Sequence, residues 1–234
     1  MTAQLPKWHF PIEPRTIKHR QNPLEEEFFA AAKSTAAEAL VREAIQNSLD
    51  AGTASPVKVR FHLGSVEDHA HRMYFRGLID HVRKALPSHV IGFDEDRCRF
   101  LVVEDFNTTG LLGPTVPDVD EADRNPELNS FWFYAWHTGK SAKAAGGRRG
   151  TWGVGKIVFP FVSGIKTTFS YSERDDQHEL SAMLFGKSIL KYHSLNGESF
   201  EPHGWFGFQD ASDNPIPADG VHIEDFRLQW SIQR

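Results

Sequence analysis

REAIQNSLDAG, residues 42–52, decides how the chain is read. Leu40, Ala44 and Leu49 recur at helical spacing around it, and Thr35 followed by Glu38 forms a capping box upstream. The helix predicted from these signs runs to Asp50, with Gly52 placed to end it. Glu43, Asn47 and Asp50 lie at i, i+4 and i+7. At about 100° per residue, these positions fall within roughly 60° of one another on one helix face. Such a stripe reads in two ways. It is a solvated polar face, or it is a general base beside an amide oxygen that can ligate a hard cation.

Two further segments carry chemistry of a compatible kind. VEDFNTTGL (103–111) reads as a buried apolar strand that ends at Asp105 and passes through turn-forming residues to Gly110. A carboxylate at such a strand end can accept from a buried amino group, while the plainer reading is a turn. HTGKSAKAAGGRRGTWGVGK (137–156) holds six glycines and five basic residues. Its end, GTWGVGK (150–156), is a G-x-x-G-x-G pattern followed by Lys156, with Lys140, Lys143, Arg148 and Arg149 supplying positive charge. Glycines let backbone amides approach phosphate oxygens. A P-loop is rejected, because Ile157 stands where a hydroxyl must reach Mg²⁺ and no apolar strand precedes the glycines.

Around these motifs the elements are mixed. Residues 1–21, with three prolines, read as an extended N-terminal arm, and residues 22–234 as one domain. Asn22-Pro23 and Asn125-Pro126 read as helix starts, the second opening an aromatic helix that ends near Gly139. Residues 68–86 read as an amphipathic helix through Leu78, Val82 and Leu86. Strands are predicted at 56–63, 99–105, 165–172, 178–185 and 221–230, the last suggesting a fragment of a longer protein. Residues 111–125, with two prolines and four acids, read as a loop. Without regular βαβ alternation, the fold class is α+β, a mostly antiparallel sheet covered on one face by helices.

Composition bounds the function classes. The 234 residues suffice for one large domain, and six Trp and 18 Phe supply a core. The net charge of −5 argues against non-specific nucleic-acid binding. A single cysteine, Cys98, excludes an internal disulfide and fits a reducing cytoplasmic setting. There is no signal-peptide run and no membrane-length apolar run, so a soluble intracellular protein is expected. The His69-x-His71 pair reads as chance among 12 histidines, and the aromatic run at 131–136 as a core face. Cys98 reads as a structural thiol, although Arg97 and Arg99 flank it.

Taken together and in this order, the three motifs resemble the GHKL superfamily of DNA gyrase, the ninety-kilodalton heat-shock chaperone, histidine kinases and MutL. REAIQNSLDAG is similar to the MutL and chaperone form of the first motif, E-x-x-x-N-x-x-D-A. GTWGVGK resembles the chaperone glycine motif, and HTGKSAK the start of a mobile ATP lid. The resemblance spans about residues 30–170. It implies a Bergerat-type two-layer sandwich that binds ATP with Mg²⁺. By the same resemblance, Glu43 polarises the attacking water, Asn47 ligates Mg²⁺, Asp105 binds the adenine amino group, and Asp50 is a supporting polar residue. Gly150, Gly153, Val154 and Gly155 shape the lid end around the phosphates, with Lys156 and Lys140 nearby. The middle motif departs from D-x-G-x-G: Asn107 replaces the first glycine, and one extra residue precedes Gly110. Asn tolerates the left-handed backbone such a turn needs. The resemblance further implies a nucleotide-dependent switch, with ATP-dependent homodimerisation through the arm. Its rivals are a non-hydrolysing module of the same fold that binds DNA or protein, and an ATP-regulated effector of the kind found in bacterial DNA repair or anti-phage defence.

Overall fold

The computed structural model describes residues 5–14, 23, 35–66, 69–89, 93–115, 125, 128–136, 157–174 and 181–233. In chain order the elements are β1 (Lys7–His9), α1 (Ala36–Asp50), β2 (Lys58–Ser65), a 3-10 turn (His69–His71), α2 (Arg72–Phe75), α3 (Ile79–Ala85) and β3 (Arg99–Phe106). They continue with α4 (Ser130–Ala135), α5 (Val158–Val162), β4 (Thr167–Glu173), β5 (Ala182–Ile189), β6 (His193–Leu195) and β7 (Glu198–Phe200). The last are β8 (His203–Gln209), β9 (Pro215–Ile216) and α6 (Val221–Gln229).

Mixed α+β architecture with antiparallel pairing is what the sequence led one to expect. The main sheet runs β1-β8-β5-β4, with β9 also on β8, and β2-β3 and β6-β7 form separate two-stranded ribbons. Every strand pair is antiparallel. Within the expected N-terminal arm, residues 7–9 are the edge strand of the main sheet, registered Trp8 opposite Phe206.

The core lies between the main sheet and helices α2, α3 and α6. Trp8, Tyr74, Leu78, Val82, Leu184, Phe206, Phe226 and Trp230 are buried in one cluster. Its rings meet mainly edge to face, as Phe169 on Phe206 (5.2 Å) and Tyr74 on Phe226 (5.2 Å). The aromatic run packs as a second core face, with Phe131 fully buried against Phe185.

Four expectations are corrected. Residues 221–230 form a helix, because Ile223, Phe226 and Trp230 are all buried, at i, i+3 and i+7. Val221 and Leu228 face solvent, Leu228 at 79% exposure. The single helix at 68–86 is broken in two. Arg76 is extended and Gly77 takes φ +80°, a left-handed turn that ends the first helix as a C-cap glycine does. The strand at 99–106 is half-exposed rather than buried, because among the described residues only β2 pairs with it, and Leu101 is 39% exposed. The aromatic helix opens at Ser130 with no side-chain cap, while the Asn125 carbonyl accepts from Leu128 and Asn129. The helix expected to start at Asn22-Pro23 lies outside the described residues except for Pro23.

The capping box of α1 is present as read. Thr35 Oγ1 accepts from Glu38 N–H (3.2 Å), and the Glu38 carboxylate accepts from Thr35 N–H (2.8 Å). Thr35→Ala is expected to cost about 1 kcal/mol of stability in a denaturant titration. No change in the midpoint would mean that tertiary packing alone sets the helix start. Among the described residues, no helix is long and apolar enough to cross a membrane.

Candidate functional site

Helix α1 has two sides. Ala39, Leu40, Ala44 and Ser48 are buried, Ser48 returning its hydroxyl to the Ala44 carbonyl (2.9 Å). Glu43, Asn47 and Asp50 face away from them and line a cleft of about 2780 Å³. Asp105, Asn107 and Gly110 line the same cleft. It is a broad open cleft, larger than an ordinary small-ligand pocket. The structure therefore brings Glu43, Asn47 and Asp50 of the first motif and Asp105, Asn107 and Gly110 of the second to one concavity.

Hydrogen bonds hold those two motifs together. The Asn107 carbonyl accepts from Thr53 N–H (2.8 Å), and Thr109 N–H donates to the Ala51 carbonyl (2.9 Å). Asn107 Nδ2 donates to the Pro56 carbonyl (2.8 Å). The turn after β3 is thus tied to the C-terminal end of α1. Asn107 sits at φ +64°, the left-handed conformation expected of it. Gly110, at φ +68°, packs so closely on β4 that an added Cβ would meet the Glu173 carbonyl oxygen at 2.0 Å. Next to it, Leu111 N–H donates to Ser172 Oγ (2.9 Å). The turn therefore bridges α1 and β4, and a side chain at 110 forces it away from the sheet.

The carboxylates are differently placed. Glu43 is partly shielded, with a side-chain exposure of 24%, and its Oε1 accepts from Arg42 Nε (3.2 Å) and Nη2 (3.1 Å). Asp50 accepts from Gln46 Nε2 (3.0 Å). Asp105 is exposed and accepts from Thr108 Oγ1 (3.1 Å). Its neighbour Glu104 points to the opposite face of the ribbon, as strand alternation requires. There it is buried, ion-paired to Arg60 directly across the ribbon, and accepts from Gln233 N–H (2.8 Å).

The far wall was not anticipated from the sequence. On β4, Thr168, Ser170 and Ser172 present hydroxyls at period two, and all three line the cleft. Tyr134 from α4 hydrogen-bonds Ser170 through its hydroxyl (2.8 Å). Burial pushes its phenol up, and the negative charge of Asp105 adds to the shift. The alternating polarity of TTFSYS (167–172) was the signal for the serines. Tyr134 was hidden inside an aromatic run.

The glycine motif is a different case. Lys140, Gly150, Gly153, Val154, Gly155 and Lys156 lie outside the described residues. The first described residue after them, Ile157, is buried and opens α5. That helix packs on α1, with Val158 in one buried cluster with Ala39 and Leu40. Pro160 fits because it occupies the first turn, where a backbone N–H has no helical partner. The helix that follows the glycine segment in sequence is thus packed on the helix that carries Glu43 and Asn47, more than a hundred residues earlier. Val158→Ala is expected to cost on the order of 2 kcal/mol in thermal or chemical unfolding. An unchanged transition would contradict the packing of α5 on α1.

The set-aside signals have ordinary partners. His69 and Arg72 both engage Asp96, and His71 bonds the Gln229 carbonyl (2.9 Å). Burial raises the Cys98 thiol rather than activating it. Among the described residues, no group of three or more His, Cys, Asp or Glu side chains is placed to hold a metal. A hard cation at this site would draw on the Asn47 amide oxygen, water and a ligand's own oxygens, a donor set suited to Mg²⁺. Comparison of the chain with protein-family models, curated proteins and solved structures returns no match.

Proposed function

We propose that the chain is an ATP-binding, slowly hydrolysing domain of the GHKL type. One observation carries the reading: Glu43, Asn47 and Asp105 line one cleft, and the helix that follows the glycine motif packs on the helix that bears two of them. In this account Asp105 accepts from the adenine amino group at the end of β3. The hydroxyls of Ser170 and Tyr134 complete that end of the cleft. Asn47 would hold a Mg²⁺, which would supply positive charge beside the phosphates, and by the resemblance Gly150, Gly153, Gly155 and Lys156 would contact those phosphates. Glu43 takes a proton from water as the water oxygen bonds to the γ-phosphorus. The bond from the γ-phosphorus to its bridging oxygen breaks and ADP leaves; a bound Mg²⁺ would supply charge neutralisation there. The Bergerat reading adds that the β2-β3 ribbon and the main sheet are two parts of one antiparallel layer backed by α1 and α5.

Calorimetric titration with Mg-ATP tests the assignment. Saturable binding of one nucleotide per chain is expected, and heats no larger than those of dilution contradict it. A second reading keeps the fold and the binding but omits turnover. It is favoured by the Arg42 guanidinium held on Glu43 and by the altered turn between Asp105 and Gly110. Mg-ATP that binds but is not consumed selects it. The proposed switch closes the lid over ATP and pairs two chains through the N-terminal segment. Light scattering with a non-hydrolysable analogue is expected to show the mass doubling.

A further inference from the structure

Far from the cleft, two histidines share a buried hydrogen bond. His193 Nδ1–H donates to the Lys191 carbonyl (2.8 Å), which leaves its Nε2 as an acceptor. His81 Nδ1–H fills that acceptor at 2.8 Å. Because a carbonyl can only accept, His193 Nδ1 carries a hydrogen; with both rings neutral, His193 Nε2 is the acceptor and His81 Nδ1–H the donor. The N-terminal segment closes over them. Phe10 stacks on His81 at 4.0 Å and 13°, and meets His193 edge-on at 6.0 Å. Phe200 stacks on His193 at 5.7 Å and 21°, and meets His81 edge-on at 4.7 Å. Phe10 itself is seated on Gly204, where an added Cβ would come within 2.3 Å of its ring. The segment is tied down by β1-β8 pairing, by Glu13 N–H to the Ser199 carbonyl (2.8 Å), and by Glu201 N–H to the Pro11 carbonyl (2.9 Å).

We propose that the His81–His193 pair is a proton-operated latch, which holds residues 7–13 against the body at neutral pH and releases them in mild acid. A proton added to either ring puts a charge into a buried site, and on His193 Nε2 it also removes the acceptor of His81 Nδ1–H. Releasing the segment uncovers the His81 face and lets water solvate the charge.

The surrounding charges do not cancel this effect. On the segment itself stand Lys7, His9 and Glu13, and on α3 stand Asp80, Arg83 and Lys84. Lys191 and Glu198 flank β6 and β7, with Glu201 and His203 at the start of β8. Burial holds His81 down to about 4, the neighbouring His193 adds to that, and Asp80 opposes it weakly from an exposed position. Burial also lowers His193 and His9, the latter despite its contact with the Gly207 carbonyl. For a histidine depressed in the closed state, the contribution is full above its ordinary value near 6.5 and falls as pH drops toward the depressed one. The latch therefore weakens between about pH 6.5 and 4.

The test is hydrogen exchange of residues 7–13 on the whole chain, with rates corrected for the intrinsic effect of pH. Protection is expected to fall by about 10- to 100-fold between pH 7 and pH 5, while β4 and β5 amides stay protected. The His81→Gln/His193→Gln double variant is expected to lose this pH dependence, and His9→Gln to retain most of it. Unchanged wild-type protection between the two pH values overturns the proposal. So does a double variant that keeps the wild-type profile. If the double variant leaves the segment open at pH 7, NMR titration of the two imidazoles in the wild-type chain decides. Titration below 6.5 together with segment release supports the latch, and titration at or above 6.5 overturns it.

Discussion

Replacing Asp105 with alanine is expected to weaken Mg-ATP binding by roughly 10- to 100-fold, the worth of a hydrogen bond to a charged group. Asp105 ends β3 within the cleft, and among the described residues its carboxylate is engaged by Thr108 at one oxygen. The other oxygen is thus the acceptor offered to an amino group. Asp105→Asn keeps a carbonyl acceptor and is expected to lose less. The two readouts are calorimetric affinity and a circular dichroism spectrum that shows the fold unchanged. The turn itself is held by Asn107, Thr109 and Gly110 rather than by Asp105, so folding should survive. Wild-type affinity in Asp105→Ala removes this residue from the site.

Glu43→Ala is expected to leave nucleotide affinity within about threefold and to slow hydrolysis by about 10²- to 10⁴-fold, the usual contribution of a positioned general base. The side chain stands one turn before Asn47 on the cleft side of α1, with Oε1 already shared with Arg42. Arg42→Ala bears on the same point, since removing the guanidinium releases Glu43 to act on water. Steady-state phosphate release measures both variants. If Glu43→Ala turns over at the wild-type rate, Glu43 is not the base. If wild-type chain and variant are equally silent while both bind, the chain holds ATP without consuming it.

What was legible depended on whether the signal was local. The capping box at Thr35 and Glu38 and the helix to Asp50 need only neighbours three or four residues apart, and both are present. The left-handed residue at Asn107 and the strand at 167–173 were likewise visible, the first from residue type and the second from alternation. Residues 221–229 were misread because Phe226, Leu228 and Trp230 alternate with polar residues, while the true inward set is Ile223, Phe226 and Trp230. Periods of 2 and 3.6 agree over so short a window, and the docking of α6 on Phe169 and Tyr74 settles it. The break at Gly77 was read as helix interior, where a glycine is tolerated, but its backbone is left-handed. At the site, Glu43 and Asn47 came from helical spacing, and Asp105 from its place at the end of an apolar strand. Tyr134, Ser170 and Ser172 did not, because their meeting depends on how α4 and β4 approach across the cleft.

The central claim is that the acidic face of α1 and the glycine segment close around one metal-bound triphosphate. Its most direct measurement uses ATP loaded with paramagnetic Mn²⁺ in place of Mg²⁺ and the NMR spectrum of the whole chain. Selective broadening of the Asn47 side-chain amide together with the Gly153 and Gly155 backbone amides is the predicted result. Broadening at Asn47 with those glycine amides left sharp, or the reverse, contradicts the claim.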